Sequence, residues 1–334
     1  MVRAAIVGLG WWGRTLVSSV QAKSSDIKFV CGYTRSRHKV EDFCRDQHIG
    51  LVDDYADIVS DPEVDAVVLA TPHSQHEIQV KQAAAAGKHV FVEKPFTLTS
   101  SSAEATIKAA EAADIVLAVG FNRRFHPSMA ELRNRVRDGR LGVVGTCIAE
   151  QTAMTAAFLP PEAWRSNPTE TPAGAMTGIG IHAVDSMIDL FGHVTEVYCV
   201  NTRRAAMVDD TTSVMLRLAN GVTGIIAASL STAAHYRFTV YGSKGLAEID
   251  SPSLDEFRFR SAPAKPPSGQ PIAEAPEVIR TPGFDTVHAE LIAFAKSVSD
   301  GTPYPIPVTD ILHGAQVFEA VVESAQIGRP LAVG

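Results

Sequence analysis

The sequence predicts an α/β domain built on a doubly wound parallel sheet, followed by an α+β domain with a mostly antiparallel sheet. Three observations carry this. As far as Val119, short apolar runs alternate with helical stretches, the pattern of strand–helix–strand units with helices on both faces. Between the first apolar run and the first helix lies a glycine-rich turn, Gly8 to Gly13. After about residue 140 strand follows strand, with the hairpin dipeptide Asn220-Gly221 joining two of them. A chain of 334 residues with 46% hydrophobic and 20% charged residues has the length for two packed domains.

Ala4–Val7, Lys28–Cys31, Ala66–Ala70, His89–Val92 and Ile115–Val119 read as the strands of the first domain. Between them, Glu77–Ala86 is an alanine-rich helix closed by Gly87. Ser100–Ala113 is a second helix, opened by Thr99 or Ser100 with Glu104 nearby. In the second domain Val143–Thr152, Val194–Asn201, Thr212–Leu218, Val222–Leu230, Phe238–Tyr241 and Leu246–Ile249 are strand-like, and Gly242 to Gly245 makes another turn. Ala262 to Gly283 is proline-rich and predicts an extended surface loop. Thr286–Val298 and Thr309–Gln326 are helical. The expected boundaries are 1–122, 123–305, and 306–334 as a helix and tail returning to the domain junction.

A formal net charge of −7 argues against a sequence-independent nucleic-acid binder, which needs a concentrated basic face. The four cysteines are scattered without a CxxC pair, so neither a zinc site nor a disulfide framework is expected, and a reducing cytoplasm is the default. His126, His235 and His288 form no metal-like cluster, and no metal is expected. The apolar N-terminal run is short and broken by Gly8, Gly10 and Gly13, which favours a strand over a signal peptide. No segment approaches the roughly 20 apolar residues of a membrane span.

The turn reads Gly8-Leu9-Gly10-Trp11-Trp12-Gly13, a GxGxxG directly after a strand and opening a helix. Glycines permit the tight turn and a close backbone approach to a pyrophosphate, and the helix start offers unpaired N–H groups to it. An NAD reader places an acid at the end of the second strand, about 20 residues on. Here that stretch is Thr34-Arg35-Ser36-Arg37. A carboxylate repels a 2′-phosphate, whereas guanidinium forks and hydroxyls bind one, so NADP(H) is preferred and NAD(H) remains possible. The alternative is that the arginines form a solvated turn.

His89–Val92 ends in Glu93-Lys94-Pro95. Pro95 biases Lys94 towards an extended conformation. Open parallel sheets bind ligands beyond the carboxyl ends of their strands, where Lys94 can donate to a hydroxyl or carbonyl oxygen. The competing interpretation is a solvated strand end.

The pieces GLGWWG, LATPHSQHEIQ, AGKHVFVEKP, VGFNRRFHP, AWRSNP, GIGIHAVDSMIDLFG and VYGSKGLAEID, in this order, resemble the glucose–fructose oxidoreductase / inositol dehydrogenase / rhizopine-catabolism (Gfo/Idh/MocA) family over nearly the whole chain. The resemblance implies a Rossmann domain, then a domain whose open sheet makes homo-oligomer contacts in a dimer or tetramer. It implies hydride transfer between a nicotinamide and a secondary alcohol or ketone of a sugar, cyclitol or related small molecule. Lys94 would bond the reacting oxygen and His182 would be the general acid/base. Asp185 shares a helix face with His182 and would contact substrate or orient the imidazole, while Asp189 is expected to be solvated. Ala70, Thr71, Pro72, His73, His76 and Glu93 would lie along the nicotinamide half of the cofactor. Trp164 and Arg165 would approach from the second domain, and Asn122 with Arg123 would touch the ribose or pack at the junction. Trp11 and Trp12 would cover the pyrophosphate, line the cleft mouth, or simply pack.

The sequence departs from the family at Gly178, where many members carry an Asp four residues before the histidine. Three alternatives follow: another carboxylate substitutes, Asp185 being nearest in sequence; the substrate is a dihydrodiol or another cyclic alcohol; or the protein is an NADP(H)-binding sensor without turnover.

Overall fold

The computed structural model describes residues 1–263 and 275–334. Its strands are β1 (Val2–Val7), β2 (Ile27–Tyr33), β3 (Gly50–Leu51), β4 (Ala66–Leu69), β5 (His89–Glu93), β6 (Leu117–Gly120), β7 (Val144–Met154), β8 (Val194–Thr202), β9 (Thr211–Leu218), β10 (Thr223–Ser229), β11 (Ser231–Gly242), β12 (Gly245–Asp250), β13 (Glu256–Ser261), β14 (Glu277–Arg280) and β15 (Leu331–Ala332). Its α-helices are α1 (Trp11–Val20), α2 (Glu41–Asp46), α3 (Tyr55–Ser60), α4 (His76–Ala85), α5 (Ser100–Ala112), α6 (Pro127–Arg137), α7 (Ile181–Phe191), α8 (Thr286–Asp300) and α9 (Val308–Ile327). Half of the expected loop from Ala262 to Gly283, residues 264–274, lies outside the described residues, and its described part contains a strand, β14.

By contacts the chain forms two units, Met1–Asn122 with Asp285–Ala315, and Arg123–Phe284 with Gln316–Gly334. The expectation that 123–305 stay together is corrected: α8 belongs with the parallel sheet. Val287, Leu291, Phe294 and Ala295 form an apolar stripe that joins the core of β1, β2, β4, β5 and β6.

In the first unit six parallel strands run in the order β3-β2-β1-β4-β5-β6. β4 and β6 are buried at every residue, the pattern of strands covered on both faces. β3 is only two residues long, too short to leave a periodic trace in the sequence. Thr99 caps α5 as expected, its hydroxyl accepting from the Ser102 amide at 3.2 Å. The strand order reverses between β1 and β4, which puts the carboxyl ends of those strands at a crevice suited to a ligand.

The second unit carries a nine-stranded sheet, β14-β13-β12-β11-β7-β10-β9-β8-β15, parallel only between β7 and β10. β9 alternates buried and exposed residues along its whole length, so one face packs and the other does not. On the outer face Tyr198, Met215, Ile225 and Ile148 pair side by side across β8, β9, β10 and β7. Met215 there is 54% exposed, and Tyr198 and Ile225 are each 37% exposed. On the packed face, the Cys199 amide donates to Ser324 Oγ on α9 at 3.0 Å.

Candidate active site

At the strand-order reversal the backbone leaves almost no room. Gly8 has φ +95°, and a Cβ there would lie 2.4 Å from the Ala70 carbonyl oxygen. A Cβ on Gly13 would lie 1.9 Å from the Gly8 carbonyl oxygen, so α1 seats directly on the turn. Gly10 differs, with nothing within 4 Å of where its Cβ would be. It starts α1 without a side-chain cap, and the first turn holds no acidic residue. Unclaimed N–H groups facing open space fit a pyrophosphate. Leu9 is 2% exposed and its side chain belongs to the core, which leaves only its backbone for a ligand. Trp12 packs on the same core, while Trp11 is 72% exposed.

Beyond β2, Thr34 and Ser36 are half-buried and Arg35 and Arg37 exposed. Arg37 is already engaged with Asp53, and its Nε lies 3.9 Å from Glu41. Arg35 makes no ion pair among the described residues. The two arginines are therefore not equivalent candidates for a 2′-phosphate.

Beyond β4, the Thr71 hydroxyl donates to Gln79 Oε1 at 2.6 Å, and Pro72 begins a short turn that leads into α4. His73 and His76 are buried, their rings 5.7 Å apart edge to face. His76 has Nδ1 3.1 Å from both the Pro95 and Phe96 carbonyl oxygens and Nε2 3.2 Å from that of Thr71. The imidazole braces the loop after β4 against the loop after β5. The Asn122 Nδ2 donates to Thr286 Oγ1 at 2.9 Å and ties the end of β6 to the start of α8.

Glu93 is buried and Lys94 half-buried at the end of β5, and the Lys94–Pro95 peptide is cis. The Lys94 amide donates to Glu93 Oε2 at 3.3 Å.

In the second unit a π-helical turn, Met176–Gly180, leads into α7 and His182. Such turns occur often at functional sites. Gly178 and Gly180 let it approach β10 and its end: their Cβ atoms would lie 3.4 Å from Leu230 and 3.6 Å from Ala228. Thr177 donates its hydroxyl to the Pro172 carbonyl, away from the position an Asp would fill at 178. His182 is 8% exposed. The Arg165 guanidinium lies 4.0 Å from the Trp164 ring centroid, so that pair stacks on itself.

Asp189 corrects the sequence expectation of a solvated side chain. Arg124 grips Asp185 with Nε 3.0 Å from both carboxylate oxygens and Nη2 2.7 Å from Oδ1. Arg133 grips Asp189 with Nε at 3.0 and 2.8 Å and Nη2 at 2.6 Å. The Asp189 side chain is 8% exposed rather than solvated, and the Asp185 carboxylate is held in a buried ion pair. Neither arginine was legible as a partner, since Arg124 and Asp185 are 61 residues apart.

Sequence reasoning also missed a polar cluster on the sheet's packed face. The Arg123 guanidinium lies 4.6 Å from the Tyr236 ring centroid, and Gln151 is the cross-strand neighbour of Tyr236. Burial holds the Arg123 guanidinium below its usual range and pushes the Tyr236 phenol up. Arg123 Nη1 and Gln151 Oε1 are buried without a hydrogen-bond partner among the described residues. A donor and an acceptor left in this way suit a ligand bearing hydroxyls. Glu290 is a third omission. Nothing in HAELIAF marks its carboxyl as buried, yet it is fully so.

A parallel sheet in this strand order, with a GxGxxG turn at its reversal, defines a dinucleotide-binding oxidoreductase domain. Two family models match the chain: "Oxidoreductase family, NAD-binding Rossmann fold" over residues 2–121 and "GFO/IDH/MocA C-terminal domain" over residues 129–248. The chain belongs to the Gfo/Idh/MocA family of NAD(P)-binding oxidoreductases and is an enzyme of that class. It is 26% identical over 340 residues to the uncharacterized oxidoreductase YrbE of Bacillus subtilis, covering 98% of this chain and 95% of that one. It is 28% identical over 238 residues to the mouse trans-1,2-dihydrobenzene-1,2-diol dehydrogenase, covering 70% and 69%. Among solved structures, the aldose-aldose oxidoreductase from Caulobacter crescentus superposes with a TM-score of 0.85 at 26% identity, covering 99% of each chain. Among the described residues no helix is long and apolar enough to cross a membrane.

Proposed function

We propose that this enzyme prefers NADP(H) and interconverts a secondary alcohol and a ketone on a sugar, cyclitol or related cyclic alcohol. The observation that carries the cofactor half is the end of β2, where exposed Arg35 has no ion pair among the described residues and no acid stands in the Thr34–Arg37 stretch. Gly8, Gly10, Gly13 and the start of α1 would hold the pyrophosphate, with Arg35, Ser36 and Thr34 on the 2′-phosphate. A bound nicotinamide supplies the hydride acceptor or donor.

Lys94 donates to the reacting oxygen and lowers the cost of alkoxide character. His182 takes the hydroxyl proton during oxidation and returns it during reduction, a task suited to an imidazole, whose ordinary pKa of about 6.5 is near working pH. Arg123, Tyr236 and Gln151 bind substrate hydroxyls. With Asp185 held by Arg124 and glycine at 178, the imidazole is tuned without the family's aspartate. The apolar rung of Tyr198, Met215 and Ile225 supports a homo-oligomer formed through the outer face of the second sheet. The four buried, unpaired thiols suit a cytoplasmic location.

The test is nicotinamide absorbance across a panel of sugars, inositols and cyclic diols, with NADP and NAD in parallel. Lys94→Ala should lower kcat by about a hundredfold or more while NADPH still binds, and unchanged turnover overturns its role. Arg35→Ala should weaken NADPH about tenfold or more and spare NADH; equal loss for both cofactors overturns the 2′-phosphate assignment. Tight NADPH binding with no turnover on any alcohol would instead favour a sensor.

A further inference from the structure

Along its buried side α8 meets the sheet in three successive rungs. Phe294 packs on Phe91, their ring centroids 5.8 Å apart. One turn nearer the helix start is Glu290, and two residues further along β5, on the face of Phe91, is Glu93. One more turn on, Thr286 accepts from Asn122. A helical turn advances about 5.4 Å and two strand residues about 6.6 Å, so the outer rungs hold the middle one in register.

That register brings Glu290 to the level of Glu93 on the same face of the sheet. Glu93 pairs across the sheet with Gly120, and a Cβ on Gly120 would lie only 2.9 Å from Glu93 Oε1, so the missing side chain makes the space for this carboxyl. Glu290 is 0% exposed, and neither of its oxygens has a hydrogen-bond donor among the described residues. Two ionised carboxylates cannot hydrogen-bond each other, and an isolated buried charge is costly enough that the group keeps its proton instead.

We propose that Glu290 is a neutral carboxylic acid that donates its proton to the Glu93 carboxylate, and that this pair positions Lys94. The inference rests on Lys94 having the role proposed above. Glu93 is the intermediary, since its Oε2 accepts the Lys94 amide. The acids that bear on Glu290 are Glu93 from β5 and Asp285 at the start of its own helix; burial, then each of these charges, pushes its carboxyl well above the usual range. An ionised Glu290 would repel Glu93 and free the end of β5 to shift.

The decisive measurement is the infrared carbonyl stretch of a protonated carboxylic acid in the whole protein at neutral pH. Wild type should show the band, and Glu290→Gln should lack it. Absence of the band in wild type, or its survival in Glu290→Gln, overturns the proposal. Kinetics then separate positioning from space-filling. Glu290→Gln keeps a neutral donor to Glu93 and should retain kcat within about threefold with an unaltered pH profile. Glu290→Met keeps the volume, loses the donor and should lower kcat about tenfold while the KM for NADPH holds. Equal rates for the Gln and Met variants overturn the positioning role. The band needs no substrate, so its presence in a protein that turns over no alcohol would uphold the shared proton and refute the alcohol dehydrogenase instead.

Discussion

Helices α7 and α8 each carry acids into packed surroundings and neutralise them by opposite means. On α7, Asp185 and Asp189 meet the forks of Arg124 and Arg133, two anions against two cations. On α8, Glu290 has no donor to either oxygen among the described residues and, as proposed, is set against the Glu93 carboxylate. The difference teaches that a buried acid is not one kind of feature. Where rigid guanidinium forks supply opposite charge and several hydrogen bonds, the carboxylate stays ionised and acts as a brace. Where nothing does, the cheaper outcome is to keep the proton.

The largest effect should come from breaking the paired side. Asp185→Ala leaves Arg124 buried with its main partner gone and should cost about 3–5 kcal/mol in urea unfolding. Arg124→Met added to it should recover part of that loss, because the stranded charge is then removed. A loss no greater than that of an exposed ion pair would show that α7 does not depend on the fork.

The unpaired side should respond to pH with a definite sign. The Glu290 carboxyl is raised above its ordinary 4.5 in the folded protein. Its stabilising contribution is therefore fully present below that value and is lost as pH rises towards the folded pKa. Wild type should lose Tm as pH rises through this window, and Glu290→Gln should flatten that slope. An unchanged slope would mean that Glu290 is ionised after all.

The smallest effect sharpens the contrast with the surface. Arg37→Ala breaks an exposed pair with Asp53 and should change stability by about 0–1 kcal/mol. The same variant should weaken NADPH less than Arg35→Ala does, since Arg37 is already engaged.

The two acidic settings also mark where sequence stops being informative. The alternation in Thr211–Leu218, the Asn220-Gly221 turn and the glycine loop were legible because each is local: period, turn chemistry and a backbone constraint lie within a few residues. Asp185 and Asp189 were legible as sharing a helix face, but not as buried, because their arginines come from the segment after β6. His76 looked like a ligand residue beside the Thr71-Pro72 turn, and only the returning loop at Pro95 and Phe96 makes it a brace. β13 and β14 left little trace, since their charged residues pair with one another, Arg258 along β13 and Arg280 across from β14, both with Glu256. Lys94 could be singled out because Pro95 and the strand before it are adjacent; its proposed support, Glu290, lies beyond the Arg123–Phe284 part of the second unit.

The return of α8 to the first unit has a consequence for the order in which this protein can be made. A ribosome releases the six strands of the parallel sheet by Gly120, but the helix that covers Phe91, Ala118 and Ala4 begins only at Thr286. One flank of that sheet must therefore wait, wet and apolar, while eight of the nine strands of the second sheet are synthesised. Nascent chains exposing such surface are prone to association. A polypeptide stopped at Phe284 should accordingly need a chaperone or precipitate, even though it contains every strand of the nucleotide-binding fold.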